Sequence, residues 1–356
     1  MSRIIDVSVS RVRLRFREPV RHGGAVLTTQ EVVILRLATD DGLVGFGEVS
    51  GPLLPPDLEA SLERVSKRLV GIDPETVDDP HAEVLAGALD TALLDVRGRL
   101  RGRSMADLLG GGPASVRVNG LMTVGVGTPD AAAVMAMALV ARGFRTIKIK
   151  RAVDSADPLV HASLRAVRDA VGTDVALRLD LNGDLSERAA VDWLTSLERL
   201  ALEYVEQPIA PWLGAAAMVR VRAAIPMPLA ADESVVDLAA AVMLMDAGAC
   251  DVLVVKPSRV GGPRASVQIA RAAATAGVAV TISTLYDSGI GLAAALHAAS
   301  TVPGDRAHGL GTAALLESDL IGGVLPIVDG RMAVPIGAGL GVTLDPMALS
   351  DAMVQA

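Results

Sequence analysis

Hydrophobic and polar positions alternate strictly near the start of the chain. In "SVSRVRLRF", which ends at residue 16, arginines separate valine, leucine and phenylalanine with the period of a half-buried strand. The pattern predicts a strand over about 3–16, followed by a hairpin over 31–49 that turns at Asp41-Gly42. Helical patterns are predicted at about 56–70 and 83–108, and the glycines of "LLGGG" end the second. Strands followed by helices predict an α+β unit over residues 1–112.

The rhythm then changes. Short apolar strands alternate with Ala-rich helices: "VRVNGLMTV", "FRTIKIK", "VALRLDLN", "LEYVEQP", "MPLAADES", "CDVLVVKP", "VAVTISTL" and "RAHGLG". They recur about every 25–30 residues, one βα unit each, and predict an α/β fold with a (β/α)7-8 TIM-type barrel over 113–325. The Gly- and Pro-rich tail, 326–356, is predicted to pack back onto the first unit.

Bulk composition narrows the function classes. A chain of 356 residues suits one barrel plus a smaller domain. Aromatics make up 2%, so Ala, Val, Leu and Ile must build the core, as in helices packed on a buried parallel sheet. The net charge of −8 argues against nucleic acid or an anionic membrane as partner. The single cysteine, Cys250, reads as a buried small residue; it excludes an internal disulfide framework and fits the reducing cytoplasm. The N-terminus carries no apolar run of signal-peptide type, and the longest apolar stretches are too short to span a bilayer or are broken by Asp246 and Gly248. The Gly45-x-Gly47 spacing lies in a hairpin's return strand and not ahead of a helix, so it does not read as a phosphate loop.

Catalytic groups of such barrels lie at the C-terminal ends of the strands. Read in order, those ends carry Lys148 and Lys150, then Asp180, Glu206, Asp232 and Lys256. Buried charges are costly unless paired or metal-bound. The three carboxylates end adjacent strands and should converge. All-oxygen ligation with room for water and substrate suits Mg²⁺, or Mn²⁺ as a substitute. The competing reading makes them helix caps, but Asp184 with Glu187, and Ser234 with Asp237, look like better caps nearby.

The lysines are informative because lysine is scarce. Of 33 basic residues only Lys67, Lys148, Lys150 and Lys256 are lysine; the other 29 are arginine. Alternation puts Lys148 and Lys150 on one strand face, with Ile147 and Ile149 toward the outer helices. Lys256 ends a strand four positions further round. Arginine cannot give up its proton at useful pH, whereas a desolvated lysine can. The constellation implies removal of a proton next to a metal-bound carboxylate, through an enediolate, with amines on both faces.

These residues resemble the enolase superfamily, in its muconate-cycloisomerase-like subgroup, over nearly the whole chain. "IKIK" is similar to the subgroup's K-x-K motif; Asp180, Glu206 and Asp232 fall on its Mg²⁺-ligand positions, and Lys256 in "VVKPSRVGG" on its opposite-face lysine. "ALDTALLDVRGRLRGRSMADLLGG" resembles the helix that links capping domain to barrel. The resemblance implies a capping domain made of the N-terminal region and the tail, with loops at about 17–26 and 49–55 closing over substrate. Candidate contacts are Arg21 and His22 in the first loop, Asn182 beside the metal, and Tyr286 and Asp287, which stand where the subgroup commonly has Leu-Glu-Ser.

The resemblance also ranks reactions. Lys256 stands where the mandelate racemase branch has a His-Asp dyad. Dipeptide epimerases resemble one another in an Asp-x-Asp after the eighth strand, whereas "HGLGTAALL" holds no acid before Glu317. That stretch, with "SGIGLAAALHAAS", looks most like o-succinylbenzoate synthases, in which Lys150 would be the base and Lys256 would stabilise the enediolate. N-acylamino acid or dipeptide racemisation and muconate-type cycloisomerisation are the alternatives. The expected partners are a small-molecule carboxylate substrate and further copies of the chain in a homo-oligomer. Two other classes make different demands: a Schiff-base aldolase needs one lysine and no metal trio, and a scaffold protein needs neither.

Overall fold

A computed structural model describes residues 2–22, 25–78, 85–112, 114–152 and 157–354. The chain opens with an antiparallel sheet of β1 (Ile4–His22), β2 (Ala25–Thr39) and β3 (Val44–Ser50). Helices α1 (Leu58–Leu69), α2 (Ala86–Arg101) and α3 (Met105–Leu109) follow, the last with a Ser104/Asp107 capping box. Where sequence predicts one helix over 83–108, the chain breaks at Gly102, whose φ of 62° ends α2.

β2 carries apolar residues on both faces because each face serves a different core. Val33, Leu35 and Leu37 pack with Leu58 and Val65 of α1 and Leu89 and Leu93 of α2. Val32 and Ile34 pack with Tyr286, Ile290 and Ala293 of the barrel. The cap sheet is therefore sandwiched between its own helices and the barrel. β1 also runs six residues past its predicted end: Val20, Arg21 and His22 pair with Leu27, Val26 and Ala25, so most of the predicted loop at 17–26 is the far end of a hairpin.

The predicted first barrel strand divides in two. β4 (Ser115–Arg117) leaves the barrel and later pairs with the tail, while β5 (Gly120–Val124) begins the barrel sheet. Then come α4 (Pro129–Ala141), β6 (Thr146–Arg151), α5 (Pro158–Val171), β7 (Ala176–Asp180), α6 (Glu187–Ser196), β8 (Tyr204–Glu206), α7 (Gly214–Ala224), β9 (Leu229–Ala231), α8 (Leu238–Asp246), β10 (Val252–Val255), α9 (Pro257–Val260), α10 (Pro263–Ala276), β11 (Ala279–Ile282) and α11 (Gly289–Ala299). Seven parallel strands lie side by side in chain order. The predicted eighth, "RAHGLG", forms no strand; it closes the ring through single parallel bridges, His308 to Val118 and Gly309 to Ser283.

In the tail, β12 (Ile327–Val328) and β13 (Arg331–Ala333) extend β4. Gly339 bridges Ser104, and beyond α12 (Pro346–Ala352) Met353 bridges Val12 of the cap sheet. Among the described residues no helix is long and apolar enough to cross a membrane.

Candidate active site

Period-two geometry aims the site residues. On β6, Ile147 and Ile149 join the outer core, so Lys148 and Lys150 point into the ring. The same parity sends Arg178 and Asp180 inward from β7, Tyr204 and Glu206 from β8, and Val252 and Val254 from β10, with Lys256 next in line. Register aligns Lys150 with Asp180 and Asp180 with Glu206. Lys148 stands one layer lower, level with Arg178 and Tyr204.

The three strand-end acids converge. One carboxylate oxygen from each of Asp180, Glu206 and Asp232 lies within 4.8 Å of the other two. Lys148 Nζ reaches up to Glu206 Oε1 at 2.6 Å and Asp180 Oδ2 at 2.9 Å. Among the described residues Lys150 Nζ makes only long contacts, 3.4 Å to Asp180 Oδ2 and 3.4 Å to Asn182 Oδ1. From the far side Lys256 Nζ contacts both oxygens of Asp232, at 2.6 and 2.5 Å.

The ionisation pattern follows. Burial works to raise Asp180, but Lys148 and Lys150 overcome it and hold the group below the usual carboxylate range. Glu206 is pushed up to about 8 by burial and by Asp180 and Asp232, with Lys148 and Lys256 failing to compensate. Burial lowers Lys256, offset in part by Asp232. Lys256 and Arg259 likewise overcome burial at Asp232 and hold it well below the usual range, so Glu206 is the one member of the trio whose carboxyl is raised.

The residues fit a hard divalent cation. Glu206 Oε2 and Asp180 Oδ2 are buried and accept no hydrogen bond of good geometry among the described residues, even with Lys148 close to the latter. With Asp232, an oxygen of which lies within 4.8 Å of one from each but whose carboxylate is engaged by Lys256 and Arg259, they bring to one point the all-oxygen donor set that Mg²⁺ or Mn²⁺ prefers.

A pocket opens beside the trio. Lys148, Lys150, Asp180 and Lys256 line it together with Ser283, Thr284, Leu285, Tyr286 and Thr312. Asp180 is the one carboxylate among the described residues of this lining. Tyr286 is buried with φ of 62° and packs edge-on against Phe16 of the cap at 5.3 Å. Asp287 is not among the described residues of this lining; it accepts a hydrogen bond from Ser50 of the cap. The side chains of Arg21 and His22 lie outside the described part of the structure.

Two sequence expectations about helix caps are corrected. Ser186, not Asp184, caps α6, and Asp184 pairs with Arg151. Asp237, not Ser234, caps α8. The strand-end acids are still free of capping duty, through different residues from those expected.

Sequence reasoning missed three neighbours. Arg259 Nη1 donates at 2.8 Å to both the carbonyl and Oδ1 of Asp232. Arg178 is fully buried beneath the acids; it pairs with Glu203 at 2.7 Å and stacks over Tyr204 at 4.8 Å. Glu233 accepts from Asn182 at 3.0 Å. Strand parity could have found Arg178; the other two follow strand ends, where parity stops guiding.

Comparison with known proteins agrees with this architecture. Residues 130–348 match the family described as enolase C-terminal domain-like, and residues 4–110 match the N-terminal domain of the mandelate racemase / muconate lactonizing enzyme family. The chain is 28% identical to a hydrophobic dipeptide epimerase of Enterococcus faecalis, across 96% of this chain and 99% of that protein. The structure of a dipeptide epimerase from that organism, complexed with Mg and the dipeptide L-Leu-L-Tyr, matches with a TM-score of 0.83 at 26% identity, over 96% of this chain and 99% of that one. A chloromuconate cycloisomerase of Cupriavidus necator is 29% identical over 96% of this chain and 97% of its own. The muconate lactonizing enzyme of Pseudomonas fluorescens, solved with muconolactone, matches with a TM-score of 0.88 at 26% identity, over 99% of this chain and 100% of that one.

Proposed function

We propose a function from one premise: the chain belongs to the enolase superfamily, in its muconate-lactonizing-enzyme-like subgroup. It is an enzyme of that isomerase and lyase group, and its reaction is removal of the proton next to the carboxylate of a small substrate. Asp180, Glu206 and Asp232 would hold Mg²⁺. The bound ion would polarise the substrate carboxylate and make the neighbouring C–H more acidic. Lys150 takes the proton, because its long contacts leave the amine free to turn toward the pocket. Lys148, locked between Glu206 and Asp180, keeps its charge and fixes both carboxylates. Lys256 faces the substrate from the Asp232 side, where its charge opposes the negative charge that develops as the proton leaves.

The lining of the pocket carries the finer reading. Away from the trio, the described residues of the lining offer hydroxyls, the Asn119 amide and apolar groups, and no carboxylate to meet an ammonium. This favours a carboxylate substrate without a free amine. Among such reactions, dehydration to o-succinylbenzoate needs one base, which agrees with one loosely held and one tightly paired lysine. A second reading, racemisation of an N-acylated amino acid, is favoured by an amine standing on each face.

The test is an assay of the purified Mg²⁺-loaded protein in D₂O with the o-succinylbenzoate precursor, N-succinyl amino acids and dipeptides. Dehydration of the precursor supports the first reading. Deuterium entry at the α-carbon of N-succinyl amino acids alone supports the second. Preferential epimerisation of dipeptides with a free amine would overturn both.

A further inference from the structure

Glu233 occupies a position that needs a reason. It follows Asp232 directly, and burial, then Asp232, then Asp180 raise its carboxyl above the ordinary range. Its Oε2 is buried and accepts no hydrogen bond among the described residues. Its Oε1 accepts from Asn182 Nδ2 at 3.0 Å. A third acid beside two ligand carboxylates is unfavourable for stability, so what it does for Asn182 is the question.

Asn182 is itself tightly held. Its backbone N–H donates to Asp180 Oδ1 at 3.1 Å, and its φ of 48° lies in the left-handed region, which asparagine tolerates better than most side chains. The flanking N–H groups of Leu181 and Gly183 donate to Glu206 and Gln207 of the next strand. With the backbone fixed, the amide can still take two orientations. Glu233 selects one of them, since only the NH₂ group can donate to its oxygen. The amide oxygen is then left facing Lys150 Nζ at 3.4 Å. The reversed amide would set NH₂ against the lysine and oxygen against Glu233, two repulsive contacts.

We propose that Glu233 and Asn182 are positioning residues for Lys150: Glu233 fixes the orientation of the Asn182 amide, and the amide oxygen steers the lysine amine toward the substrate face. The proposal rests on the reading of Lys150 as the base. It assigns Glu233 no contact with substrate and no bond to the metal.

The scarcity of lysine makes a direct test practical. Protein labelled with ¹³Cε-lysine has four side-chain signals, and Lys150→Arg identifies the one that matters. In the Mg²⁺-loaded protein, Glu233→Ala and Asn182→Ala should each shift and broaden the Lys150 signal while leaving Lys67 in place. Glu233→Gln, which can still present an amide oxygen to Asn182, should restore most of the wild-type signal. Exchange of the α-proton of D- and L-N-succinyl amino acids reports the two faces separately. Loss of the positioning contact should slow the Lys150 face by about 10–100-fold, the range for removing an orienting partner, and leave the Lys256 face within about twofold.

The outcomes separate the two ideas. If Lys150→Arg leaves exchange on both faces, Lys150 is not the base. If Lys150→Arg abolishes one face but the Lys150 signal is unmoved in Glu233→Ala, the base stands and the positioning proposal is overturned. Weakened Mg²⁺ binding in Glu233→Ala, with the Lys150 signal unmoved, would make Glu233 part of the metal site instead. If neither probe exchanges, the resonance arm decides by itself.

Discussion

Glu48, in the last strand of the cap sheet, accepts hydrogen bonds from the backbone N–H of Ser288 at 2.9 Å and from its hydroxyl at 2.5 Å. One acid thereby fastens the cap to the first turn of α11, and a third donor, the N–H of Gly291, joins it at 3.1 Å. Asp287, which bonds Ser50, is its neighbour in this joint. Burial, and then the charge of Asp287, push Glu48 up to about 8. Lys256 and Arg259 are the cations whose fields reach Asp287 from the barrel side.

The sign of the resulting pH dependence is fixed. Between about 4.5 and about 8 the folded chain keeps a proton on Glu48 that the unfolded chain has lost. This contribution to stability therefore falls as pH rises through that window and is flat above it. Glu48→Gln should remove the slope. Linkage through the Glu48 pKa is worth about 2.5 kcal/mol between pH 6 and pH 8.5, so calorimetry at the two pH values should show Tm falling in the wild type by roughly 5–10 °C more than in the variant. Parallel Tm profiles would contradict the assignment.

Metal removal should act on stability as well as on turnover. A cation bound by Asp180, Glu206 and Asp232 relieves their mutual repulsion only in the folded chain. At about 100 times its dissociation constant Mg²⁺ should add about 2.7 kcal/mol. EDTA should lower Tm, added Mg²⁺ should restore it, and Glu206→Gln should lose most of the response. A wild-type Tm indifferent to Mg²⁺ would count against the trio as a metal site.

Lys150→Arg keeps the charge and removes the ability to take a proton at neutral pH. Turnover should fall by about 10²–10⁴-fold, the usual contribution of a positioned general base. Mg²⁺ binding, followed by titration calorimetry, should stay within a few-fold of wild type. Activity surviving this substitution would transfer the base role elsewhere.

The glycine spacing that does not read as a phosphate loop has a steric cause. A Cβ on Gly47 would lie 1.9 Å from the carbonyl oxygen of Ala88, and one on Gly45 would lie 2.3 Å from that of Ala92. Both glycines let β3 lie directly on the backbone of α2. Gly47→Ala should therefore cost at least about 1–3 kcal/mol, the range for overpacking a core. Since β3 also carries Glu48 and Ser50, the cap joint should loosen with it. Gly42→Ala serves as the comparison: it has φ of 86° but open space around it, so its cost is backbone strain alone. Equal Tm losses in the two variants would argue against the close approach.

Much of the architecture was legible before folding was considered. The alternation in "TIKIKR" fixes Lys148 and Lys150 on one face, and it does so because successive side chains on a strand point opposite ways. Parallel strands joined by helical crossovers all end at the same rim, so the order of strand-end residues already lists the groups that gather there. The helix boundary at Gly102, the division of β4 from β5 and the extension of β1 were less legible. Each depends on a partner far along the chain: the tail for β4, the start of β2 for β1.

The sequence by itself determined which residues face inward and at which end of the barrel they lie, because those follow from backbone period and connection length. Only the tertiary structure decided which side chains meet. Asn182 and Glu233 are 51 residues apart, and Glu48 and Ser288 are 240. Local pattern marks a position as buried or exposed, but it carries no record of what lies across the gap. The partners are chosen when sheet register, barrel closure and the docking of the cap bring distant segments within hydrogen-bond reach.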